Sequence, residues 1–377
     1  MILTDDHLLI QETARDFALR HVAPTVIARD AAAAFPHDLI PELASMGLLG
    51  LYHPEEYGGA GADTTAFCLV IEEIARWDAS LALTIASHTS LCSGHIAIAG
   101  THEQKRRYLT PLASGEILGG WALTEPGSGS DASGMKTSAV KKGDEWVLNG
   151  SKTFITQGSV GGIFVVLAVT DREKGAKGIT AFIVEKGDAG FSHGPKMHKL
   201  GMNSSDTCEL RFEEVRIPAD RQLGGLGMGF IDTMKVLDGG RIGIGALGVG
   251  IIRGSLEESV AYAKQRHQFG KPIGDFQAVR FKLADMAVNL EAARLLVLKA
   301  AALKDAGKPH TQEASMAKLF SSEKATQAAL DAIQIHGGYG YTKEYHPERF
   351  LRDAKLLEIG EGTSEVQRMV IGRGLMG

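Results

Sequence analysis

The sequence predicts an α+β protein of more than one domain, helical at both ends and built from strands in between. Three observations lead there. Apolar residues recur at helical spacing before about residue 117 and again after Pro218, while a period of two holds from Thr137 to Ile217. No strand–helix–strand alternation runs through the chain, which argues against a parallel nucleotide-binding sheet. The 377 residues, 44% apolar and 23% charged, exceed one average domain and have an ordinary globular balance. The expected division is a helical domain over 1–117, a β domain over 118–224 and a second helical domain over 225–377.

Each element has a local cause. Thr4 followed by Asp5 and Asp6 predicts a capped helix start, and Leu9, Ile10, Ala14 and Phe17 follow at helical spacing. The loop from His53 to Gly61 breaks that pattern, and Thr65 to Ala99 is helix-like again. Glu145–Leu148, Asn149-Gly150 and Lys152–Thr156 predict a hairpin with a type I′ turn. Gly162–Thr170 and Gly178–Glu185 read as strands, and Cys208, Leu210 and Phe212 alternate with Glu209 and Arg211 as on a half-buried strand. Gly225, Gly227 and Gly229 read as a turn before a helix. Ser255 and Glu258 fit a capping box, although the glycine-rich stretch before them also suits a helix. Val279, Leu283, Met286, Leu290, Ala293 and Val297 form one apolar stripe.

Composition removes several classes of function. The formal charge is −5, without the basic excess of a protein that coats nucleic acid. Cys68, Cys92 and Cys208 are odd in number and widely spaced, so buried thiols are expected rather than disulfides or a cysteine zinc site. The opening MILTDDHLLIQETARDF does not resemble a secretory signal, and runs such as Ile163–Val169 are too short for a membrane span. A cytoplasmic location is the expectation. Walker, His-Glu-x-x-His and Gly-x-Ser-x-Gly motifs are missing. His88, His95 and His336 lack ligand spacing and read as structural, so no metal is expected.

Three segments carry chemistry. In Trp121-Ala-Leu-Thr-Glu-Pro-Gly-Ser-Gly-Ser-Asp131, Gly127 and Gly129 let backbone amides approach a ligand, and Thr124, Ser128 and Ser130 add hydroxyls. Composition alone favours an ordinary Pro-Gly-Ser loop over a ligand site. The second segment is Gln334-Ile-His-Gly-Gly-Tyr-Gly-Tyr341, followed by Glu344, Arg349 and Asp353. In the third, Glu361 stands between Gly360 and Gly362, ahead of a helix for which Ser364 and Gln367 suggest a capping box. Alone, such a glutamate reads as a solvated acid at a helix start.

Together these segments resemble the acyl-CoA dehydrogenase family of flavoproteins over nearly the whole chain. Ala122–Asp131 through Gly134 is similar to the family's first signature, and Gln334–Asp353 to its second. Pro54–Gly61, Arg266–Lys271 and Asp353-Ala-Lys are similar to further family segments in the same order. Leu237-Asp-Gly-Gly-Arg-Ile-Gly243 looks most like the short-chain, butyryl-CoA branch.

The resemblance implies a middle antiparallel β-barrel or sandwich, a C-terminal four-helix bundle, and FAD between them. Trp121, Leu123, Thr124, Gly129 and Ser130 match positions lining the flavin, with Ser130 also at the start of the acyl-CoA site. Phe154, Ile155 and Thr156 match the strand on the other side of the ring, where many relatives carry Trp in place of Phe154. Arg266, Gln268, Phe269, Gln277, Gln334 and Gly338 match positions around the adenine and pyrophosphate, partly reached from a neighbouring subunit of a homotetramer. Thr363 and Glu365 match further cofactor positions, and Asp238, Arg241 and Gly362 match positions near acyl-CoA. For Asp238 and Arg241 a helix-stabilising pair is an equal reading.

Glu361 matches the family's base, which takes the α-proton of the thioester while the flavin takes the β-hydride. Its N–H is expected to help hold the thioester oxygen. Some relatives carry the base near Leu237–Arg241, but Gly239 and Gly240 offer no carboxylate here. The implied product is a trans-2-enoyl-CoA, with electrons passing to electron-transfer flavoprotein in fatty-acid β-oxidation. Two alternatives stand beside it: an acyl-CoA oxidase using oxygen, and a catalytically weak, DNA-associated flavoprotein relative.

Overall fold

The computed structural model describes residues 3–376. Helix α1 (Asp5–Phe17) starts where Thr4 predicts: its hydroxyl accepts from the His7 N–H, and the His7 side chain accepts from the Thr4 N–H in return. Helices α2 (Thr64–Ala75) and α3 (Ala79–Ala86) are capped by Asp63 and Asp78 and are buried throughout. The helical run continues through a widened turn at Ser87–Ser93 to Ala99. Contrary to the sequence reading, this Ala79–Ala99 run is long and apolar enough to cross a membrane, but 89% of its apolar window is buried inside the chain.

Eight strands form the middle sheet in the order β6-β7-β3-β2-β4-β5-β8, with β1 (Gly119–Ala122) beside β4. Here β2 is Ser138–Lys142, β3 Glu145–Thr156, β4 Ile163–Val169, β5 Ile179–Glu185, β6 Phe191–His193, β7 Thr207–Pro218 and β8 Gln222–Leu223. Pairing is antiparallel except that β1, and β2 at one residue pair, run parallel to β4. The sheet folds over itself: Trp146 on β3 packs edge-on against Phe182 on β5 at 5.1 Å, and Phe164 on β4 meets Phe191 on β6 at 5.1 Å. All three cysteines are free and buried.

One turn falls elsewhere than predicted. Asn149-Gly150 lies inside β3, where the pairing with β7 slips by a residue and Gly150 takes φ +144°. It is a bulge, held by the Asn149 side chain, which donates to the Glu214 carboxylate and accepts from the Glu214 N–H across the strands. The hairpin turn lies one strand earlier, at Gly143-Asp144 between β2 and β3.

Helix α4 (Gly229–Gln265) runs through the glycine-rich stretch and through Ser255, so the Ser255–Glu258 capping box does not form. Helices α5 (Gln277–Asp305) and α6 (Thr311–His336) pack along α4, followed by α7 (His346–Leu357) and α8 (Ser364–Met376). The α5 stripe faces inward as expected, with Met286, Leu290, Ala293 and Val297 buried.

Contact with α4 is made through its glycines. A Cβ on Gly250 would stand 2.6 Å from Ala75 Cβ and 2.7 Å from the Glu72 carbonyl; one on Gly254 would meet the Arg76 carbonyl at 2.8 Å and Phe350 at 2.9 Å. Buried ion pairs tie the same helices. Glu72 accepts from Arg294 at 2.7 Å, and Glu73 accepts from Arg15 and Arg253, both at 2.8 Å. Helix propensity alone favours alanine over glycine by about 1 kcal/mol. Yet Gly250→Ala should lower the apparent Tm by a few degrees in a thermal melt, because its Cβ meets fixed backbone. A rise in Tm would show that α2 and α4 have slack between them.

Candidate active site

Glu361 is placed by strain and by three tethers. Its φ is +53°, a left-handed conformation that a side chain seldom adopts, and Gly362 follows at φ +93°. The buried Lys318 on α6 donates to the Gly362 carbonyl at 2.7 Å. Gln367 on α8 donates to the carbonyls of Glu361 (3.2 Å) and Gly362 (2.9 Å). The cap of α8 is Thr363, whose hydroxyl accepts from the Val366 N–H, and not Ser364, whose hydroxyl is buried without a partner. The predicted capping box is therefore displaced, and Gln367 is used to fix the glutamate loop instead.

This loop aims the Glu361 carboxylate at α4. A Cβ on Gly240 would lie 2.1 Å from Glu361 Oε2 and 2.8 Å from Leu91. Glycine at 240 is therefore a steric requirement, and the carboxylate occupies the space that a side chain there would fill. Oε2 is buried without a hydrogen-bond partner. Burial raises the carboxyl to a pKa of about 7, against the opposing pull of Lys318 and Arg241. Lys318 is itself depressed to about 8 by burial. The Glu361 N–H donates to no acceptor among the described residues. A buried acid poised near neutrality beside a free amide is suited to moving a proton next to a developing oxyanion.

Asp238 and Arg241 are brought beside this group. Arg241 Nη1 donates to Asp238 Oδ1 at 2.8 Å, Thr311 donates to the other Asp238 oxygen, and Arg241 keeps its Nε buried and unpartnered. The pair on one helix face is thus present, and its arginine also lends positive charge near Glu361.

A second wall comes from the sheet. Trp121 on β1 donates from Nε1 to His95 Nδ1 at 3.1 Å. The buried Lys152 on β3 donates to the Leu123 carbonyl (2.9 Å) and to Glu125 (2.8 Å), and Glu125 accepts from the N–H groups of Lys136 and Thr137. This clamps the Leu123–Ser130 loop while leaving Gly127 and Gly129 with nothing within 4 Å of a Cβ. On β3, Phe154 has φ +58° and is 67% exposed, whereas the Ile155 side chain is buried in the sheet core. Ile155 therefore has main chain alone to offer a ligand. The hydroxyls of Thr124, Ser130 and Thr156 form no hydrogen bond among the described residues. Open glycines, free hydroxyls and an outward aromatic ring make a cradle that fits a flat heteroaromatic ring.

The remaining predicted residues gather elsewhere. Arg266 lies 5.7 Å over the Tyr339 ring, and the His267–Gln268 and Lys271–Pro272 strands carry Phe269, 93% exposed, at their tip. Gln268, Gln277, Gln334 and Gly338 are exposed around them. From Gly240 to Gln265, α4 extends roughly 38 Å at 1.5 Å per residue, farther than one extended FAD reaches. Within one chain the Arg266 group and Glu361 do not share a site. Thr363 and Gly362 belong to the Glu361 loop, and Glu365 is exposed in the first turn of α8.

Sequence reading missed Lys318, Gln367, Lys152 and Leu91. The available signal was a lysine on the inward face of an apolar element, as at 152 and 318. A separate concavity of about 640 Å³, lined by Phe35, His37, Val160 and Lys186 among others, includes none of these residues.

Known proteins share this sequence and fold. The acyl-CoA dehydrogenase N-terminal, middle and C-terminal domain profiles match residues 4–116, 120–215 and 227–376. The structure of butyryl-CoA dehydrogenase from Megasphaera elsdenii is 47% identical, covers all of both chains and superposes with a TM-score of 0.99. A chain in the structure of the electron transferring flavoprotein of Acidaminococcus fermentans is 46% identical over all of this chain and 99% of that one, with a TM-score of 0.99. The glutaryl-CoA dehydrogenase of Mycobacterium smegmatis in complex with FADH2 is 34% identical over all of this chain and 95% of that one, with a TM-score of 0.94. By fold and sequence, this chain belongs to the acyl-CoA dehydrogenase family: it is an FAD-dependent oxidoreductase that acts on the CH–CH group of acyl-CoA.

Proposed function

We propose that this dehydrogenase oxidises short-chain acyl-CoA to trans-2-enoyl-CoA, with Glu361 as the base and electron-transfer flavoprotein as the electron acceptor. The observation that carries the reading is the Glu361 carboxylate: enclosed, unpartnered at Oε2, held near neutral pKa and lodged against Gly240. Bound FAD would supply the acceptor for the β-hydride. Trp121, Leu123, Thr124, Gly129, Ser130 and the Phe154–Thr156 strand would hold the ring, with Thr363 and Glu365 as further contacts to the cofactor. Glu361 takes the α-proton on Oε2, and its free N–H holds the thioester oxygen as charge gathers there. Leu91 excludes water from the carboxylate, while Ser130, Asp238, Arg241 and Gly362 line the approach of acyl-CoA. Similarity to the butyryl-CoA enzyme supports the short-chain preference, and the Acidaminococcus match supports the acceptor.

The distance along α4 supports one further step. Arg266, Gln268, Phe269, Gln277, Gln334 and Gly338 would serve the adenine half of a neighbouring chain's FAD in a homotetramer. The exposed Phe281, Val288 and Leu295 recur every seven residues along α5 and offer a seam for such a neighbour. The proposed domains are 1–117, 118–224 and 225–377.

Anaerobic titration of the yellow holoenzyme with butyryl-, hexanoyl- and octanoyl-CoA tests the reaction. Bleaching should be fastest with the shortest. Glu361→Gln should keep FAD and bind ligand but bleach about 10²–10⁴-fold more slowly. Normal bleaching in that variant removes Glu361 as the base. Gly240→Ala should cut the reduction rate while leaving FAD content unchanged, since its Cβ takes the carboxylate's place.

The raised pKa also fixes a sign. A folded-state carboxyl near 7 against an ordinary 4.5 binds its proton more tightly when folded. Its ionisation costs stability as pH rises from 4.5, in full above 7, by about 3 kcal/mol at most. The holoenzyme should therefore gain thermal stability from Glu361→Gln at pH 8 but not at pH 4.5, as read in paired melts. In the wild type, the rate of flavin reduction should rise with pH through about 7.

A further inference from the structure

Behind Glu361 lies a charged group that the proposed chemistry leaves unused. Lys304, in the last turn of α5, is partly buried, and that burial pulls its pKa below the usual lysine value. Its Nζ stands 4.4 Å over the Tyr52 ring, and a Cβ on Gly239 would be 3.4 Å from it. Gly239 adjoins Gly240, where Glu361 Oε2 rests. Tyr52 connects the two ends: burial, then Cys68 and the Glu361 carboxylate, raise its phenol pKa, and its hydroxyl donates to the Thr89 carbonyl at 3.1 Å. Phe67 meets Tyr52 edge-on at 5.1 Å and comes within 3.3 Å of a Cβ on Gly243. The Glu361 carboxylate, the Tyr52 and Phe67 rings and the Lys304 ammonium thus gather around Gly239–Gly243 of α4.

That ammonium makes no hydrogen bond or ion pair among the described residues. The neighbouring Asp305 is not its partner, because its oxygens accept from the N–H groups of Thr64 and Thr65 and from the Thr65 hydroxyl. Contact with the Tyr52 ring offsets only part of the cost of enclosing a charge. An alkyl chain long enough to touch Nζ would strip its remaining access to water and give nothing in return. A chain ending in a hydrogen-bond acceptor would supply the missing partner.

We propose that Lys304 is the specificity-determining residue of the acyl pocket, whose ammonium closes its far end against long alkyl chains and favours short acyl groups that end in a carboxylate or carbonyl. This rests on the acyl-CoA reading of the Glu361 site. A site built to hydrogen-bond a substrate group discriminates strongly against the analogue lacking it, while apolar walls discriminate weakly.

The test uses FAD-replete holoenzyme and a pair matched in length, pentanoyl-CoA and glutaryl-CoA, with butyryl- and octanoyl-CoA as the length series. The wild type should favour glutaryl- over pentanoyl-CoA in binding, read from the shift in flavin absorbance. Lys304→Met should lower that ratio about tenfold or more and raise kcat/KM for octanoyl- relative to butyryl-CoA by a similar factor. Lys304→Gln serves if the methionine variant does not fold. Equal binding of the matched pair by the wild type overturns the proposal. So does a variant whose ratios are unchanged, or whose rates fall equally for every substrate. A wild type that bleaches with no acyl-CoA at all would instead remove the reading of the Glu361 site.

Discussion

The structure turns on one unpartnered carboxylate oxygen. Glu361 Oε2 is enclosed against Gly240, and everything nearby is arranged to keep it there: the left-handed backbone at 361, the Lys318 and Gln367 tethers on the loop carbonyls, and the absence of a side chain at 240. An enclosed acid without a partner is costly, and a stable protein keeps one where function requires it. Lys318 and Arg241 lower that cost by charge without hydrogen-bonding the oxygen, so the carboxylate is tempered but stays free.

The sheet side follows the opposite logic. There the buried acid Glu125 is fully engaged, by Lys152 and by two backbone amides, and it serves to hold a loop still. A satisfied pair rigidifies the cradle and a deprived one carries reactivity. The two acids differ in role because they differ in partners.

The sequence showed the order of helical and strand-rich segments, the α1 cap, the inward stripe of α5 and the alternation of β7, since each rests on local periodicity or a local cap. It misplaced the β2–β3 turn, because Asn149-Gly150 has the same local chemistry in a turn and in a bulge, and pairing with β7 decides between them. The Thr363 cap was off by one residue for a related reason: Gln367 is drawn to the Glu361 carbonyl by the tertiary fold. Glu361 was visible through its flanking glycines and through family resemblance. Lys318 left only the signal of a lysine on an inward helix face, and Lys304 left none, since its surroundings exist only when the neighbouring helices are in place.

The glycines of α4 carry a consequence for how the chain assembles. Gly239, Gly240, Gly243, Gly245, Gly248, Gly250 and Gly254 make α4 a poor helix on its own, by several kcal/mol relative to an alanine counterpart. It gains its stability by backbone-close docking to α2, near the start of the chain, and to α6 and α7, near the end. The two helical regions, separated in sequence by the whole sheet, therefore form a single cooperative unit. Neither would persist as an independent fragment, and a nascent chain must wait for its last hundred residues before the first hundred can settle.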